Sequence, residues 1–340
     1  MNKVIILSFY IFSILHVMFG EKDFLTFLRL AQVLGLISFF RLIFLKGGNL
    51  INSRVKLKSY PYIFTFLAII GLIITGLLNS RLLILSLIYP ISFFSISYLI
   101  IISKPSYKPF MFISILVFLT LIFYYVNGVS PTEWVKGSRN HISVLLIYST
   151  ITPILINQLN TRKTNLTVNV IFPLLSLALS ITAVGRSGIL STAVLFSGSM
   201  YYYLTNTERF RYLLYPFFIL LFSAFYFLLL PYVDFINDSY LYKFNNRGIQ
   251  LESRQEIINF YISQIDLKSF IFSFENLRQV QYLNLTFHNS FLHWHFSYGI
   301  FSVFLVLLSV RSFIKSIKYN TYLSILFLVI MLRSFTDQIL

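Results

Sequence analysis

The chain has 340 residues, of which 57% are hydrophobic and only 11% charged, and its mean hydropathy is +0.78. Soluble globular proteins carry about 25% charged residues, so the composition excludes an ordinary soluble enzyme, a disordered chain and a coiled coil. There is no cysteine, which excludes disulfides and thiolate metal sites, and the net charge is +16 from 27 Lys and Arg against 11 Asp and Glu. These features indicate a polytopic membrane protein whose surplus of positive charge reflects its topology or an anionic ligand.

Apolar runs long enough for a helix to cross a bilayer recur along nearly the whole chain. We predict about eleven such helices, with a range of about 10 to 12, because lipid leaves the backbone groups of other structures unsatisfied. The predicted fold is therefore an all-α, polytopic integral membrane protein. The runs lie near residues 4–20, 25–45, 60–79, 82–102, 109–126, 142–158, 166–184, 187–204, 212–230, 289–310 and 321–339.

One long polar segment divides the chain into three parts. Residues 1–230 hold predicted helices one to nine, residues 231–287 form a large loop, and residues 288–340 hold predicted helices ten and eleven. Within the loop, apolar residues recur at helical spacing from Ile257 to Ile265. Part of the loop is therefore predicted to be an amphipathic helix lying on the membrane surface.

The distribution of Lys and Arg between alternate loops predicts the orientation of the chain. One set of connections carries fourteen basic residues and a single acid, Glu208, whereas ten of the eleven acids lie in the opposite set. The first set is predicted to be cytoplasmic, with the amino terminus inside and the large loop outside. Its basic residues are Lys3, Lys46, Arg54, Lys56, Lys58, Lys104, Lys108, Arg162, Lys163, Arg209, Arg211, Arg311, Lys315 and Lys318.

Four arginines, Arg29, Arg81, Arg186 and Arg333, lie at outward ends of predicted helices and so break this rule. Snorkelling to lipid headgroups explains Arg29 and Arg81. Arg186 stands in the short turn 184–188, whose two glycines allow close approach of the backbone to a ligand, and its guanidinium suits bidentate capture of a phosphate. A capped hairpin with an interfacial anchor explains the same turn equally well.

A second candidate site is the segment 287–299, FHNSFLHWHFSYG, at the entrance to predicted helix ten. His288 is placed to act as a base or hydrogen-bond donor, since a helix amino terminus would keep it neutral. His293 and His295, two residues apart, would point to different sides of a helix, so we expect packing or interfacial roles for them. The segment contains no carboxylate or cysteine, so no metal is predicted.

Two outward loops supply further candidates. The segment 252–256, with Glu252 and Arg254, is either a solvated helix face with local ion pairs or a loop that brings Arg254 over an outward cavity, oriented by the acids. The shorter loop 127–141 carries Arg139 and Trp134. We expect aromatic residues such as Trp134 to line the cavity.

Together these features resemble the O-antigen polymerase and O-antigen ligase family of bacterial cell-envelope glycosyltransferases. The pair His288–Asn289, followed by nine residues and Gly299, is similar to the family's signature at the entrance to a late helix. The segment 186–190 resembles its arginine turn, and Arg254 fits its loop arginine. The resemblance covers residues 180–310 and includes the large outward loop before the His motif.

The resemblance implies a GT-C-like, metal-independent, inverting transferase of the bacterial cytoplasmic membrane that needs no cofactor and whose active site faces the periplasm or exterior. Its donor and acceptor would be oligosaccharides linked to undecaprenyl diphosphate, and its other partners membrane lipids, a chain-length regulator and a flippase, with no nucleic acid. His288 would take the proton from the acceptor hydroxyl, while Arg186 and Arg254 stabilise the departing diphosphate. The implied substrate-binding residues are Arg186, Arg254, Asn289, Arg139 and Glu252.

Several functions stay open on the sequence. A polymerase would join repeat units of O-antigen or capsular polysaccharide, and it is favoured by the short chain and by Ser302, where ligases have Gly, Thr or Tyr. A ligase would transfer finished glycan to lipid A core. A flippase for lipid-linked oligosaccharides would need charges deep inside several helices, and a non-catalytic envelope scaffold would need none of these residues.

Overall fold

The computed structural model describes most of the apolar helices and a few segments of the large loop. The described residues are 1–19, 21–46, 60–78, 84–135, 139–161, 163–183, 186–207, 212, 216, 219, 259, 261–263, 265–272, 294–295 and 298–336. Throughout these ranges the regular secondary structure is helical, which confirms the all-α prediction.

Twelve helices have bounds within the described residues. They are α1 (Asn2–Phe19), α2 (Glu21–Lys46), α3 (Tyr60–Leu78), α4 (Ile84–Ser103), α5 (Lys108–Val126), α6 (Pro131–Trp134), α7 (Arg139–Asn160), α8 (Phe172–Thr182), α9 (Arg186–Asn206), α10 (Leu267–Phe272), α11 (Ser302–Tyr319) and α12 (Thr321–Thr336). A π-helical turn (Thr167–Ile171) leads into α8, and a 3-10 turn (Gly299–Phe301) leads into α11.

Four of the described helices are long and apolar enough to cross a membrane, and three shorter ones are apolar. The four are Asn2–Phe19, Lys108–Val126, His141–Asn160 and Gly299–Lys318, and the three are Ile91–Ser103, Thr167–Thr182 and Thr321–Ser334. The chain is thus a helical membrane protein, whereas the number of eleven crossings and the GT-C-like arrangement stay predictions. Most of the predicted run 212–230 lies outside the described residues.

The helix that follows the His motif extends further along the chain than predicted. We expected it at residues 289–310; in the structure the 3-10 turn and α11 run from Gly299 to Tyr319, and most of residues 289–298 lie outside the described residues. Arg311, Lys315 and Lys318 lie inside the helix rather than in a loop, because long basic side chains reach the interface without ending a helix.

Helices α7 and α9 run side by side in the same direction. Near their first turns Gly188 contacts Ser143, and near their last turns the Tyr202 hydroxyl donates to Gln158 Oε1 at 3.0 Å. Helix α8, which connects α7 to α9 in the chain, runs in the opposite direction. A hydrogen bond between the buried hydroxyls of Thr150 and Ser176 joins it to α7. Small and hydroxyl-bearing residues of this kind allow the close helix packing typical of membrane bundles.

Helix α12 packs antiparallel on α9. The rings of Tyr202 and Tyr322 stack with centroids 4.2 Å apart, and further along the pair Ile325 contacts Gly198. The Tyr322 hydroxyl accepts a hydrogen bond from Asn169 Nδ2 at 3.0 Å. Because Tyr322 lies in the first turn of α12 and Tyr202 lies near the end of α9, the last residues of α12 lie near the start of α9.

Several connections meet at one end of the bundle, which we call the loop end. Asn160 Nδ2 donates to the Pro105 carbonyl, and the hydroxyls of Thr164 and Thr207 lie 3.4 Å apart. The connections after α4, α7 and α9 are therefore neighbours. These connections carry basic residues of the set predicted to be cytoplasmic, and the described ones are Lys104, Lys108 and Lys163.

Candidate functional site

The end of the bundle opposite the loop end, which we call the arginine end, holds the starts of α7 and α9. Arg139 is the first residue of α7 and Arg186 the first residue of α9. The contacts Gly188–Ser143 and Tyr202–Gln158 set the register of the two parallel helices. At 1.5 Å per residue, the Cα atoms of Arg139 and Arg186 differ in level by only about 3 to 5 Å. The structure thus places the backbone of these two predicted site residues at the same end of the bundle.

Gly188 allows this close approach of the two helices. A Cβ atom at Gly188 would overlap the Cβ of Ser143 and lie 2.9 Å from its Oγ. The sequence suggested that this glycine lets the backbone approach a ligand, but in the structure it lets α9 approach α7. Gly185, the other glycine of the turn, lies outside the described residues.

The arginine end has the electrostatics of an anion site. The first backbone N–H groups of a helix have no partner within that helix, and the helix dipole places partial positive charge there. Here two helices begin side by side, each with an arginine as its first residue. Helices α7, α8 and α9 contain no Asp or Glu, although Glu133 on α6 precedes Arg139 by six residues. Phosphate groups are the ligands that such helix starts bind most readily.

A third arginine lies deeper in the bundle, on α12. Arg333 is 0% exposed and is the largest fully buried side chain among the described residues. The register set by Tyr202–Tyr322 and Gly198–Ile325 places it roughly level with Ser191, about 6 to 8 Å below the level of Arg186. The sequence marked Arg333 only as an exception to the loop-charge rule. Its burial depends on how α12 packs, which no local pattern reveals.

The His motif contacts the large loop through His295. His295 Nε2 lies 2.9 Å from the Phe270 carbonyl, and Nδ1 lies 2.6 Å from the Tyr261 hydroxyl. Because a carbonyl only accepts, Nε2 carries the proton and Nδ1 accepts from Tyr261. Burial lowers the pKa of His295 below its ordinary value, which keeps the ring neutral. The expected packing role of His295 agrees with these contacts, whereas His293 lies outside the described residues.

Gly299, the glycine of the His–Asn signature, is required by the backbone on two counts. Its φ is +55°, a left-handed conformation that side chains disfavour, and a Cβ there would overlap the carbonyl oxygen of Ile271. Helix α10 of the large loop therefore seats directly on the 3-10 turn before α11. The sequence motif includes this glycine, but the sequence alone does not show why a glycine is needed there.

Trp134 has a different role from the one expected. We expected it to line a cavity, but it is 2% exposed and its indole Nε1 donates to the Val129 carbonyl at 2.7 Å. Tyr125 packs edge-on against the Trp134 ring, with centroids 6.2 Å apart. Trp134 therefore fixes the loop between α5 and α7, just before Arg139.

Four of the predicted site residues lie outside the described residues: Glu252, Arg254, His288 and Asn289. For Arg139 and Arg186 the structure describes the helical backbone but not the side chain. A meeting of His288 and Arg254 with the arginine end therefore stays a prediction. No family model matches the chain, and no curated protein or solved structure matches it significantly.

Proposed function

We propose that this protein is a membrane glycosyltransferase of the polymerase type. It joins oligosaccharide repeat units carried on undecaprenyl diphosphate into O-antigen or capsular polysaccharide, at the outer face of the bacterial cytoplasmic membrane. The observation that carries the proposal is the paired start of α7 and α9, with Arg139 and Arg186 as first residues at nearly one level. A lipid diphosphate presents two phosphates at the membrane surface, where this positive end would meet them.

The chemistry fits the residues singled out in the sequence. The acceptor hydroxyl attacks the anomeric carbon of the donor sugar while the bond from that carbon to the diphosphate oxygen breaks. His288 takes the hydroxyl proton, and undecaprenyl diphosphate leaves with the electron pair. Arg186 and Arg254 stabilise the charge that builds on the departing oxygen, a contribution of roughly 10²–10³-fold for one such donor.

The burial of charge favours a transferase over a flippase. A protein that moves a diphosphate across the membrane interior needs several charged side chains along the path. Among the side chains that the structure describes, Arg333 is the only charged one classed as buried. Its level is only about 6 to 8 Å from that of Arg186, so it does not mark a path through the bundle.

The proposal predicts the phenotype of three alanine variants. In a strain lacking its own copy, chains with Arg186→Ala, Arg254→Ala or His288→Ala should leave single repeat units on surface lipid, whereas the unchanged chain restores a polysaccharide ladder. Arg29→Ala, an exposed arginine on α2, is the matched control and should keep the ladder. Immunoblots of membranes confirm equal amounts of each chain. Normal ladders from all three site variants would refute the mechanism.

The phenotype of a strain that lacks this protein distinguishes a polymerase from a ligase and from a flippase. A strain that still displays one capped repeat unit on its surface lipid lacks a polymerase. A strain with full-length chains stranded on undecaprenyl diphosphate lacks a ligase, the second candidate because it uses the same chemistry. Repeat units that never reach the outer face indicate a missing flippase.

A further inference from the structure

Helix α7 lacks one backbone hydrogen bond near its middle. Pro153 lies inside the helix and has no N–H, so the Ser149 carbonyl, four residues earlier, loses the partner that a continuous helix would supply. In a membrane bundle a neighbouring helix has to satisfy such a carbonyl, because water is absent. Here α5 does so, since the Ser114 hydroxyl donates to the Ser149 carbonyl at 2.6 Å.

A second donor for the same carbonyl comes from α1. The Tyr10 hydroxyl lies 3.5 Å from the Ser149 carbonyl oxygen and 3.1 Å from Ser114 Oγ. Ser114 also has a second acceptor, the Phe110 carbonyl of its own helix, at 2.9 Å. Because a serine hydroxyl has a single proton, Ser114 bonds only one of its two carbonyls at a time.

Two arrangements of these hydrogen bonds satisfy the same buried groups. In the first, Tyr10 donates to Ser114 Oγ, and Ser114 donates to the Ser149 carbonyl. In the second, Ser114 donates to the Phe110 carbonyl within α5, and Tyr10 donates to the Ser149 carbonyl. Neither arrangement leaves a hydroxyl or the freed carbonyl without a partner, so neither carries the cost of an unmade buried hydrogen bond.

The two halves of α7 on either side of Pro153 are held differently. Beyond Pro153, three side chains bond to other segments at the loop end: Asn157, Gln158 and Asn160. The half before Pro153 begins with Arg139 and reaches α9 through the packing of Ser143 on Gly188. Movement about Pro153 therefore displaces the arginine end of α7 and leaves the loop end in place.

We propose that Pro153 is a hinge in α7, and that transfer of the Ser149 carbonyl from Ser114 to Tyr10 moves the first half of the helix. The transfer shortens the 3.5 Å distance to the Tyr10 hydroxyl by about 0.7 Å, to an ordinary hydrogen bond. Along the helix, Ser149 lies about 6 Å from Pro153 and His141 about 18 Å. A rigid half-helix therefore moves by about 2 Å at His141. This movement does not depend on the proposed function.

Spin labels on introduced cysteines measure the movement in the full chain in lipid nanodiscs, because the chain has no cysteine of its own. His141→Cys on α7 and Phe123→Cys on α5 form the reporting pair at the arginine end. Leu159→Cys on α7 and Tyr201→Cys on α9, both exposed, form the reference pair at the loop end.

We expect Ser114→Ala to change the mean reporting distance by about 2 Å, because Tyr10 is then the remaining donor to the freed carbonyl. Tyr10→Phe should leave the distance as it is, because Ser114 still holds the carbonyl. Ser95→Ala is the matched control, since Ser95 is equally buried but bonds within its own helix. An unchanged reporting distance in Ser114→Ala, or an equal change in the reference pair, would overturn the hinge.

Pro153→Ala tests the hinge without removing either hydroxyl. The backbone N–H gained at position 153 bonds the Ser149 carbonyl within the helix, so the distribution of reporting distances should narrow. Ser114→Ala should then no longer change the mean distance. A change as large as the one measured with Pro153 present would show that the proline is not the pivot.

Discussion

Arg333 places a charge where membrane helices seldom hold one. An arginine at the centre of a membrane helix costs about 2.5–3.5 kcal/mol on insertion scales, and less towards its ends. Helices α7, α9 and α11, which all contact α12, contain no Asp or Glu. These three helices therefore contribute no carboxylate to the surroundings of Arg333.

Replacing Arg333 tests whether that charge serves the reaction. Arg333→Met keeps much of the side-chain length and removes the charge, so we expect the ladder to shorten or vanish while the chain still inserts. Arg333→Lys should keep partial activity, because a lysine supplies the charge without the guanidinium fork. Ladder length on gels and chain amount in membranes are the measurements.

Two controls belong with Arg333. Arg29→Met changes an exposed arginine and should leave the ladder intact. Asp337, four residues beyond Arg333, lies outside the described residues, and Asp337→Asn tests an effect through a local ion pair. A full-length ladder from Arg333→Met would show that the buried charge is not used in polymerisation.

At the scale of elements, the parallel pair α7 and α9 depends on one small contact. Gly188→Ala places a methyl group against the Ser143 side chain, and overpacking of this kind costs about 1–3 kcal/mol. We expect a lower thermal midpoint in detergent and a weaker ladder, because the two helix starts move apart. The matched rescue is Gly188→Ala combined with Ser143→Gly, which vacates the space. A destabilisation that Ser143→Gly leaves unchanged would contradict this packing.

The same elements show what the sequence could predict. Apolar runs sufficed to predict helices close to 142–158 and 187–204, which the structure has as Arg139–Asn160 and Arg186–Asn206. Which faces meet could not be predicted, because lipid-facing and protein-facing sides of a membrane helix are both apolar. The contacts of Gly188 and the burial of Arg333 follow from that packing and leave no local pattern.

Individual residues of the candidate site could be predicted from the sequence, but their contacts could not. The excess of basic residues in alternate loops singled out Arg186 as an exception, and the His–Asn signature marked Gly299. The sequence suggested a packing role for His295 but not its partners, because Tyr261 and Phe270 come from a distant part of the chain. Contacts between segments so far apart depend on the folded loop.

At the scale of the whole molecule, the antiparallel packing of α9 and α12 predicts where the carboxyl end emerges. Thr336, the last residue of α12, lies at the arginine end, away from the connection around Thr207. With the arginine end outside, as proposed above, a reporter fused after Thr336 should behave as one exposed outside the cell. The measurement pairs alkaline phosphatase, active outside, with a fluorescent protein that folds inside.

A reporter inserted after Thr207 should give the opposite result, because that connection lies at the loop end. The two positions serve as each other's control. The same signal from both would contradict the antiparallel arrangement of α9 and α12.

The directions of α9 and α11 determine whether the chain between them crosses the membrane an odd or an even number of times. Helix α9 ends at the loop end, and α11 also ends there, since only Asn320 separates it from α12 and Phe313 stacks on Phe327 with centroids 5.9 Å apart. Because α11 is long enough to cross the membrane, it begins on the other side. We therefore expect the chain between Thr207 and Gly299 to join opposite sides of the bilayer, which takes an odd number of crossings. The sequence predicts one crossing there, at residues 212–230, most of which lie outside the described residues, and a single passage would leave the large loop on the side of Arg186.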